Sequence, residues 1–226
     1  MVELDVPEFT RFRKVIDKIR NARDRNMFKL IYLTAARESE VCNKVTRGDD
    51  TKPYGNFLTW QITKFKTPKD TFVIKVAILK RKIKDPTTPK FRYVALPINP
   101  SIEPWTGDLL KYMVKQRTEH NLPLSLSIDL TRARIYQLVR DTLYPKFGIK
   151  PNKEEHFCNI LRHYRITHLV SEYNFGILDL VAYAGWSVKT AAGNMAMPSG
   201  QSNLYLHLKW RAYYPKLLIP MSTLLA

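Results

Sequence analysis

The chain has 226 residues, of which 45% are hydrophobic and 25% charged, a composition typical of a globular protein. It contains no apolar run of membrane-spanning length and no secretory signal pattern at its start, so we expect a cytoplasmic protein. Lysine and arginine total 37 against 20 acidic residues, giving a formal net charge of +17. This excess favours a nucleic acid partner, because phosphate contacts release counterions. A basic surface of the ribosomal or thermophilic type is the alternative.

Cysteine usage and metal motifs narrow the chemistry further. Cys42 and Cys158 lie far apart and form no CxxC pair, so reduced, buried thiols are favoured over a disulfide. The sequence has no HExxH motif, no Cys/His cluster and no acidic calcium loop. We therefore expect neither a metal nor a cofactor.

The first third of the chain is predicted to be helical. Hydrophobic residues recur at helical spacing from Phe9 to Ile19. Asp24 is a candidate cap for a second helix that continues through Tyr32, and a third helix is expected to begin near Glu38.

The periodicity then changes to that of strands. β-branched and aromatic residues predict strands at Phe57–Ile62, Phe72–Leu79 and Phe91–Leu96, and the basic, proline-containing segment between the last two predicts a hairpin. Helical periodicity returns from Trp105 onward, in segments near 105–119, 130–143, 157–173, 176–186 and 203–214. We predict one mainly α, α+β domain over residues 1–226, with helices around a small antiparallel three-stranded sheet.

The first segment of chemical interest is TAARESEV, Thr34–Val41, which joins two predicted helices. Arg37 follows small residues, so the backbone can approach another group closely while the guanidinium projects. Glu40 lies one helical turn further on and is placed to hold that guanidinium. A plain surface ion pair is the alternative interpretation.

The second segment is NILRHYRITHL, Asn159–Leu169. Asn159 and Arg162 share one helix face at i, i+3, and an apolar stripe runs through Phe157, Leu161 and Tyr164. A basic amphipathic helix lying on DNA or facing solvent is the alternative. The histidines of this segment, His163 and His168, are candidate bases, although a histidine on an apolar face is usually a core group.

The third segment is AGW, Ala184–Trp186, followed by the tyrosine-rich LYLHLKW that begins at Leu204. Taken alone, each tyrosine is more often a core residue than a nucleophile, and a tryptophan after glycine usually packs.

Together the segments resemble the tyrosine recombinase (integrase) family, in the family's sequence order. TAARESEV is similar to its first arginine box, T-G-x-R-x-S-E-L, and NILRHYRITHLV to its second, H-x-L-R-H-t-f-a-T-H-L. AGW stands where the family has L-G-H, and SNLYLHL is similar to its nucleophile segment, t-x-x-Y-x-H. The strand that ends at Lys80 lies where the family keeps a lysine on a β-hairpin.

The resemblance covers nearly the whole chain and implies the family's catalytic-domain fold, without the separate N-terminal DNA-clamping domain. It implies a site-specific recombinase that cleaves and rejoins double-stranded DNA through a 3′-phosphotyrosyl intermediate, as a tetramer of copies on DNA and without metal or ATP. The implied catalytic residues are Arg37, Lys80, Asn159, Arg162, Trp186 and Tyr205, supported by Glu40 and His163. The divergent boxes are more similar to archaeal or viral mobile-element integrases than to bacterial Xer proteins, which implies a nucleoid or host-cell location.

The chemistry explains why these residue types are needed. Two guanidiniums can clamp the non-bridging phosphate oxygens and stay charged, which takes over the role of a metal ion. A tyrosine phenolate is a better leaving group than an alkoxide, so the covalent link is reversible. A lysine can donate the proton that the departing 5′-oxygen requires.

The chain also departs from the family pattern. Asn159 replaces the usual histidine and cannot shuttle a proton at neutral pH, and Trp186 replaces the family's usual third histidine. The spacer before Tyr205 is longer than usual, so Tyr213 and Tyr214 remain alternative nucleophiles. Alternatives to Lys80 are Lys82, Lys84 and Lys90. Alternative functions are a type IB topoisomerase, a non-catalytic DNA-binding module and a basic RNA-binding protein.

Overall fold

The computed structural model of the chain describes residues 9–41, 57–65, 71–79, 91–120, 130–148, 159–185 and 216–217. The predicted mainly helical character is confirmed. The elements follow in the order α1 (Phe9–Asp17), α2 (Ala22–Thr34), α3 (Glu38–Val41), β1 (Phe57–Phe65), β2 (Thr71–Leu79), β3 (Phe91–Pro97), α4 (Pro104–His120), α5 (Arg132–Leu138), a π-helical segment (Val139–Leu143), α6 (Tyr144–Phe147), α7 (Asn159–Ser171) and α8 (Ile177–Ala184). None of these helices is long and apolar enough to cross a membrane.

Helix α2 runs through the middle of the helical part and contacts α1, α4 and α7. Every residue from Met27 to Thr34 is buried, as expected for a helix that is covered on all sides. Even Lys29 is buried, with its ammonium 2.7 Å from a carboxylate oxygen of Asp17 and 2.8 Å from one of Asp108.

The start of α2 differs from the sequence prediction. Asn21 is the N-cap, and its side chain accepts the backbone N–H of Asp24 at 3.1 Å. Asp24 therefore lies in the first turn of the helix and does not cap it, because an asparagine three residues earlier already satisfies that backbone donor.

Aromatic side chains from five helices meet beside α2. The Phe12 ring lies 4.9 Å from both Tyr32 and Tyr164, 5.7 Å from Phe147 and 5.9 Å from Trp105, measured between centroids. Leu161 and Tyr164 of the apolar stripe predicted on α7 are buried, whereas Phe157 lies outside the described residues.

A charged network lies within this apolar core. Arg165 and Glu103 are fully buried and pair at 3.0 Å, and Arg13 reaches the other Glu103 oxygen, also at 3.0 Å. The Arg165 guanidinium also lies over the rings of Tyr32, Tyr173 and Tyr183, at 5.4 to 5.7 Å from their centroids. The helix that carries the second arginine box is thus not a basic amphipathic helix facing solvent, because its arginines, Arg162 and Arg165, are both buried.

His168 belongs to the same network. Its Nδ1 lies 2.5 Å from the Tyr32 hydroxyl and 3.4 Å from an Arg165 Nη, and both neighbours are donors, so we assign the ring proton to Nε2. Burial, together with the charges of Arg165 and Arg13, lowers the pKa of His168 to about 2. The ring is therefore a neutral core acceptor.

This arrangement predicts a pH-dependent stability. The His168 ring binds a proton near pH 6.5 in the unfolded chain but stays neutral in the folded protein. The contribution of the neutral ring to the free energy of unfolding is therefore fully present above that pH and is lost as the pH falls. Between pH 7.5 and pH 5 we expect His168 to lower the free energy of unfolding by about 2 kcal/mol. Thermal or urea unfolding at both pH values measures this change in the wild type and in His168→Gln. The contributions of the other histidines are the same in both proteins and cancel in the comparison. An identical pH dependence in both proteins would contradict the assignment.

The strands form one antiparallel sheet in the order β1-β2-β3. Ile74 pairs with Ile62 on one side and with Leu96 on the other. The buried side chains of the sheet are Val76, Ile78, Val94, Ala95 and Leu96. Strand β3 also contacts the helices α2 and α8. The sheet thereby presents β3 to the C-terminal ends of these two helices.

Candidate active site

The three segments singled out in the sequence meet around the Arg162 side chain. Its guanidinium donates one hydrogen bond to the carbonyl of Ala35 and another to that of Ala184, the latter at 2.8 Å. These partners are 127 and 22 residues away, in the first arginine box and in the AGW segment. Helix C-terminal carbonyls lack intrahelical donors and carry partial negative charge, so two converging helix ends form an acceptor pair for one guanidinium.

A second arginine, Arg92 of β3, joins the same helix ends one residue earlier. Its Nη1 donates to the carbonyl of Thr34 at 3.1 Å and to that of Tyr183, and its Nη2 lies 3.1 Å from Glu40 Oε2. Arg92 stands outside all the segments singled out in the sequence. The sequence nevertheless contains a signal that this arginine is buried. Arg92 lies two and four residues before Val94 and Leu96 on the same strand, and therefore on the same buried face.

Glu40 makes further contacts beyond the predicted ion pair with Arg37. Its Oε2 accepts the Arg37 backbone N–H at 2.9 Å, the N3-to-N-cap bond that begins α3. The Arg37 guanidinium is 3.9 Å from the other oxygen, at the limit of an ion pair, and the Arg37 side chain is 50% exposed. Glu40 thus holds the backbone of Arg37 and pairs with Arg92, and it is too buried to belong to a plain surface ion pair.

Positive charge dominates this cluster. Burial would raise the pKa of Glu40, but the charge of Arg92 and the Arg37 backbone N–H lower it below its usual value. Burial and the neighbouring charges of Arg92 and Arg37 lower the pKa of Arg162 to about 9, against the opposing effect of Glu40. Arg162 is thus charged at neutral pH, and an additional anion bound at the cluster would stabilise this charge.

The backbone conformation of residue 185 and the nearby Arg92 side chain both require a glycine at this position. It ends α8 in the left-handed region, with φ of 66°. A Cβ at this position would lie 2.5 Å from Arg92 Cδ, closer than any carbon can approach another without displacement. The glycine of the AGW segment therefore gives Arg92 its access to the end of α8.

Two further candidates lie on α7. His163 is exposed and follows Arg162 directly, and partial desolvation of its ring together with the Arg162 charge lowers its pKa. Asn159 is the first residue of α7, three residues before Arg162, and its side chain lies outside the description. Lys80, Trp186 and Tyr205 also lie outside the described residues, as do their alternatives Lys82, Lys84, Lys90, Tyr213 and Tyr214. Within the described part of the chain, no group of three or more potential metal ligands occurs.

The fold that carries this cluster is similar to that of a site-specific recombinase. The solved structure is the XerH site-specific recombinase bound to its difH substrate in a pre-cleavage complex, and the match has a TM-score of 0.51. Sequence identity is 21%, and the match covers 81% of this chain and 47% of the recombinase, so the chain spans about half the recombinase's length.

At this identity the match shows the fold alone, and at that level it confirms the resemblance to the tyrosine recombinases. The expected likeness to archaeal or viral integrases stays a prediction. No protein-family model matches the sequence, and no curated protein matches it.

Proposed function

We propose that the chain is the catalytic domain of a tyrosine recombinase, which cleaves and rejoins DNA strands through a covalent phosphotyrosyl intermediate. The observation that carries the proposal is the position of Arg162, whose guanidinium joins the ends of the first arginine box and of the AGW segment. Segments that resemble the family in separate parts of the sequence thus converge at one cluster with excess positive charge. The recombinase-like fold and the net charge of +17 support the same conclusion.

In the proposed reaction, Arg37 and Arg162 stabilise the charge that develops on the non-bridging oxygens of the scissile phosphate. The phenol oxygen of Tyr205 forms a new bond to phosphorus as the bond to the 5′-oxygen breaks. Lys80 gives the departing 5′-oxygen a proton, and the phenolic proton is lost to solvent. Asn159 and Trp186 contribute hydrogen bonds to the phosphate. Attack by a 5′-hydroxyl on the phosphotyrosine reverses the step and rejoins a strand.

The proposed reaction also implies binding partners and an assembly on DNA. Double-stranded DNA is the substrate, copies of the chain assemble on it as a tetramer, and residues 1–226 act as a single catalytic domain in the cytoplasm. A type IB topoisomerase would use the same chemistry without partner sites. We favour the recombinase because the matched fold is that of a site-specific recombinase.

The test is covalent capture of DNA. The protein is incubated in excess EDTA with a pool of DNA duplexes that each carry a nick and that differ in sequence around it. Because of the nick, the cleaved end diffuses away, and the covalent adduct accumulates. We expect a covalent protein–DNA adduct, because the guanidiniums supply the charge stabilisation that a metal would otherwise provide. Cleavage that requires magnesium and leaves no adduct would indicate a nuclease and overturn the proposal, as would the absence of any adduct.

A further inference from the structure

We propose that Arg92 is a positioning residue of this site: it fixes Arg37 through Glu40, and it fixes the two helix ends that hold Arg162. The inference rests on the proposed function and adds a third arginine to the two that the sequence identified.

The route to Arg37 passes through one carboxylate oxygen. Glu40 Oε2 lies 3.1 Å from Arg92 Nη2 and accepts the Arg37 backbone N–H at 2.9 Å. Glu40 is itself buried, with a side chain that is 4% exposed, so it cannot turn to another partner without leaving the Arg92 guanidinium. The direction from which the Arg37 side chain leaves the backbone is therefore set by Arg92.

The route to Arg162 passes through backbone carbonyls. Arg92 takes the carbonyls of Thr34 and Tyr183, and Arg162 takes those of the next residue in each helix, Ala35 and Ala184. Two guanidiniums thus bridge the same pair of helix ends on successive carbonyls. Loss of one bridge allows the ends of α2 and α8 to separate, and the acceptors of the other guanidinium then move.

Packing alone does not explain an arginine at this position. The Arg92 side chain is 2% exposed, and its Nε–H has no hydrogen-bond partner among the described residues. A buried donor without a partner destabilises a fold, and an apolar side chain would avoid that cost. An arginine is needed here because its terminal nitrogens bind three acceptors. A glycine at position 185 is needed as well, because a Cβ there would collide with the aliphatic part of the Arg92 side chain.

The experiment measures single-turnover adduct formation at saturating DNA, together with DNA affinity and thermal stability. Arg92→Lys keeps the charge but replaces the planar fork with a compact ammonium that cannot span the three acceptors. We expect the cleavage rate of the folded protein to fall by about 10²-fold, as for a misplacement of catalytic groups by about 1 Å, while the DNA dissociation constant changes little.

A double-mutant cycle tests the route through Glu40. If Arg92 acts on Arg37 through this carboxylate, Arg92→Lys combined with Glu40→Gln slows cleavage by clearly less than the product of the two single effects. Fully multiplicative effects would overturn that route.

Arg13→Lys is the matched control, because Arg13 also pairs with a buried carboxylate but makes no described contact with the ends of α2 and α8, with Arg37 or with Arg162. It should lower the melting temperature and leave the cleavage rate of the folded protein unchanged. An equal loss of rate in both variants would reduce Arg92 to a structural role and overturn the inference.

If Arg92→Lys does not fold, Gly185→Ala displaces the same side chain and should slow cleavage in the same way. A normal rate in the folded variant overturns the inference and leaves the proposed function intact. A wild-type protein that forms no adduct overturns the proposed function instead.

Discussion

Replacing Arg37 with alanine should reduce strand cleavage to a small residual rate and leave both the fold and most of the DNA affinity in place. The Arg37 side chain is half exposed, and Glu40 contacts its backbone N–H, which alanine keeps. Loss of a guanidinium that stabilises the developing phosphate charge is expected to slow the reaction by roughly 10²–10³-fold or more. Many other basic residues remain to bind phosphates. Single-turnover adduct formation and a DNA-binding titration measure the two effects.

The matched control is Arg11→Ala, which removes an exposed arginine of α1 and changes the net charge equally. It should cleave at the wild-type rate. Cleavage by Arg37→Ala at the rate of this control would remove Arg37 from the proposed site.

Arg162 requires a different substitution. Arg162→Ala leaves the carbonyls of Ala35 and Ala184 without this donor, at a cost of about 1–3 kcal/mol for each buried acceptor. Arg162→Gln retains an amide donor for a carbonyl but has no charge, so it separates loss of chemistry from loss of fold. Full cleavage in both Arg37→Ala and Arg162→Gln would contradict the recombinase hypothesis.

Tyr205→Phe should eliminate the covalent adduct while the protein folds and binds DNA normally. The substitution removes a single hydroxyl, which is the oxygen that would attack phosphorus, so no partial activity through this residue is possible. Electrophoresis under denaturing conditions detects the adduct, and peptide mapping of the wild-type adduct identifies the modified residue.

Tyr213→Phe and Tyr214→Phe are the matched controls, and both should retain the adduct. An adduct that persists in Tyr205→Phe and disappears in one of these controls would reassign the nucleophile and leave the family interpretation unchanged. If Tyr205 is instead a core residue, Tyr205→Phe stays active and Tyr205→Ala destabilises the fold by about 3–5 kcal/mol.

Periodicity predicted the helices best where an apolar face was continuous. The segment predicted near 157–173 is α7 at Asn159–Ser171, and that near 176–186 is α8 at Ile177–Ala184. The segment predicted at 130–143 continues through a π-helical stretch to Phe147, because Gly148, in the left-handed region with φ of 68°, is the residue that ends it. Helix ends depend on single capping residues, so periodicity alone locates them less well.

The site was predictable only in part, for a physical reason. Arg37 and Arg162 stand in recognisable motifs, and the structure brings Arg162 to the residues just before Arg37. Arg92 has no motif, since its position is defined by carbonyls of Thr34 and Tyr183, which every residue type possesses. Backbone acceptors leave no trace in the sequence, and contacts to them become visible only when the helix ends are placed in space.

The contacts at the site also determine when it can form during synthesis. Arg162 bonds to a residue 127 positions earlier, and the Tyr183 hydroxyl bonds to the carbonyl of Leu33, 150 positions earlier. On the ribosome, α1 to α3 emerge well before α7 and α8, and a domain generally folds as a unit. The C-terminal end of α2 therefore waits for Arg162 until α7 has been translated, and for the Tyr183 hydroxyl until α8 has been translated. Under the proposed function, a nascent chain that lacks α7 and α8 has no assembled clamp, so DNA-breaking chemistry is confined to chains that contain both helices.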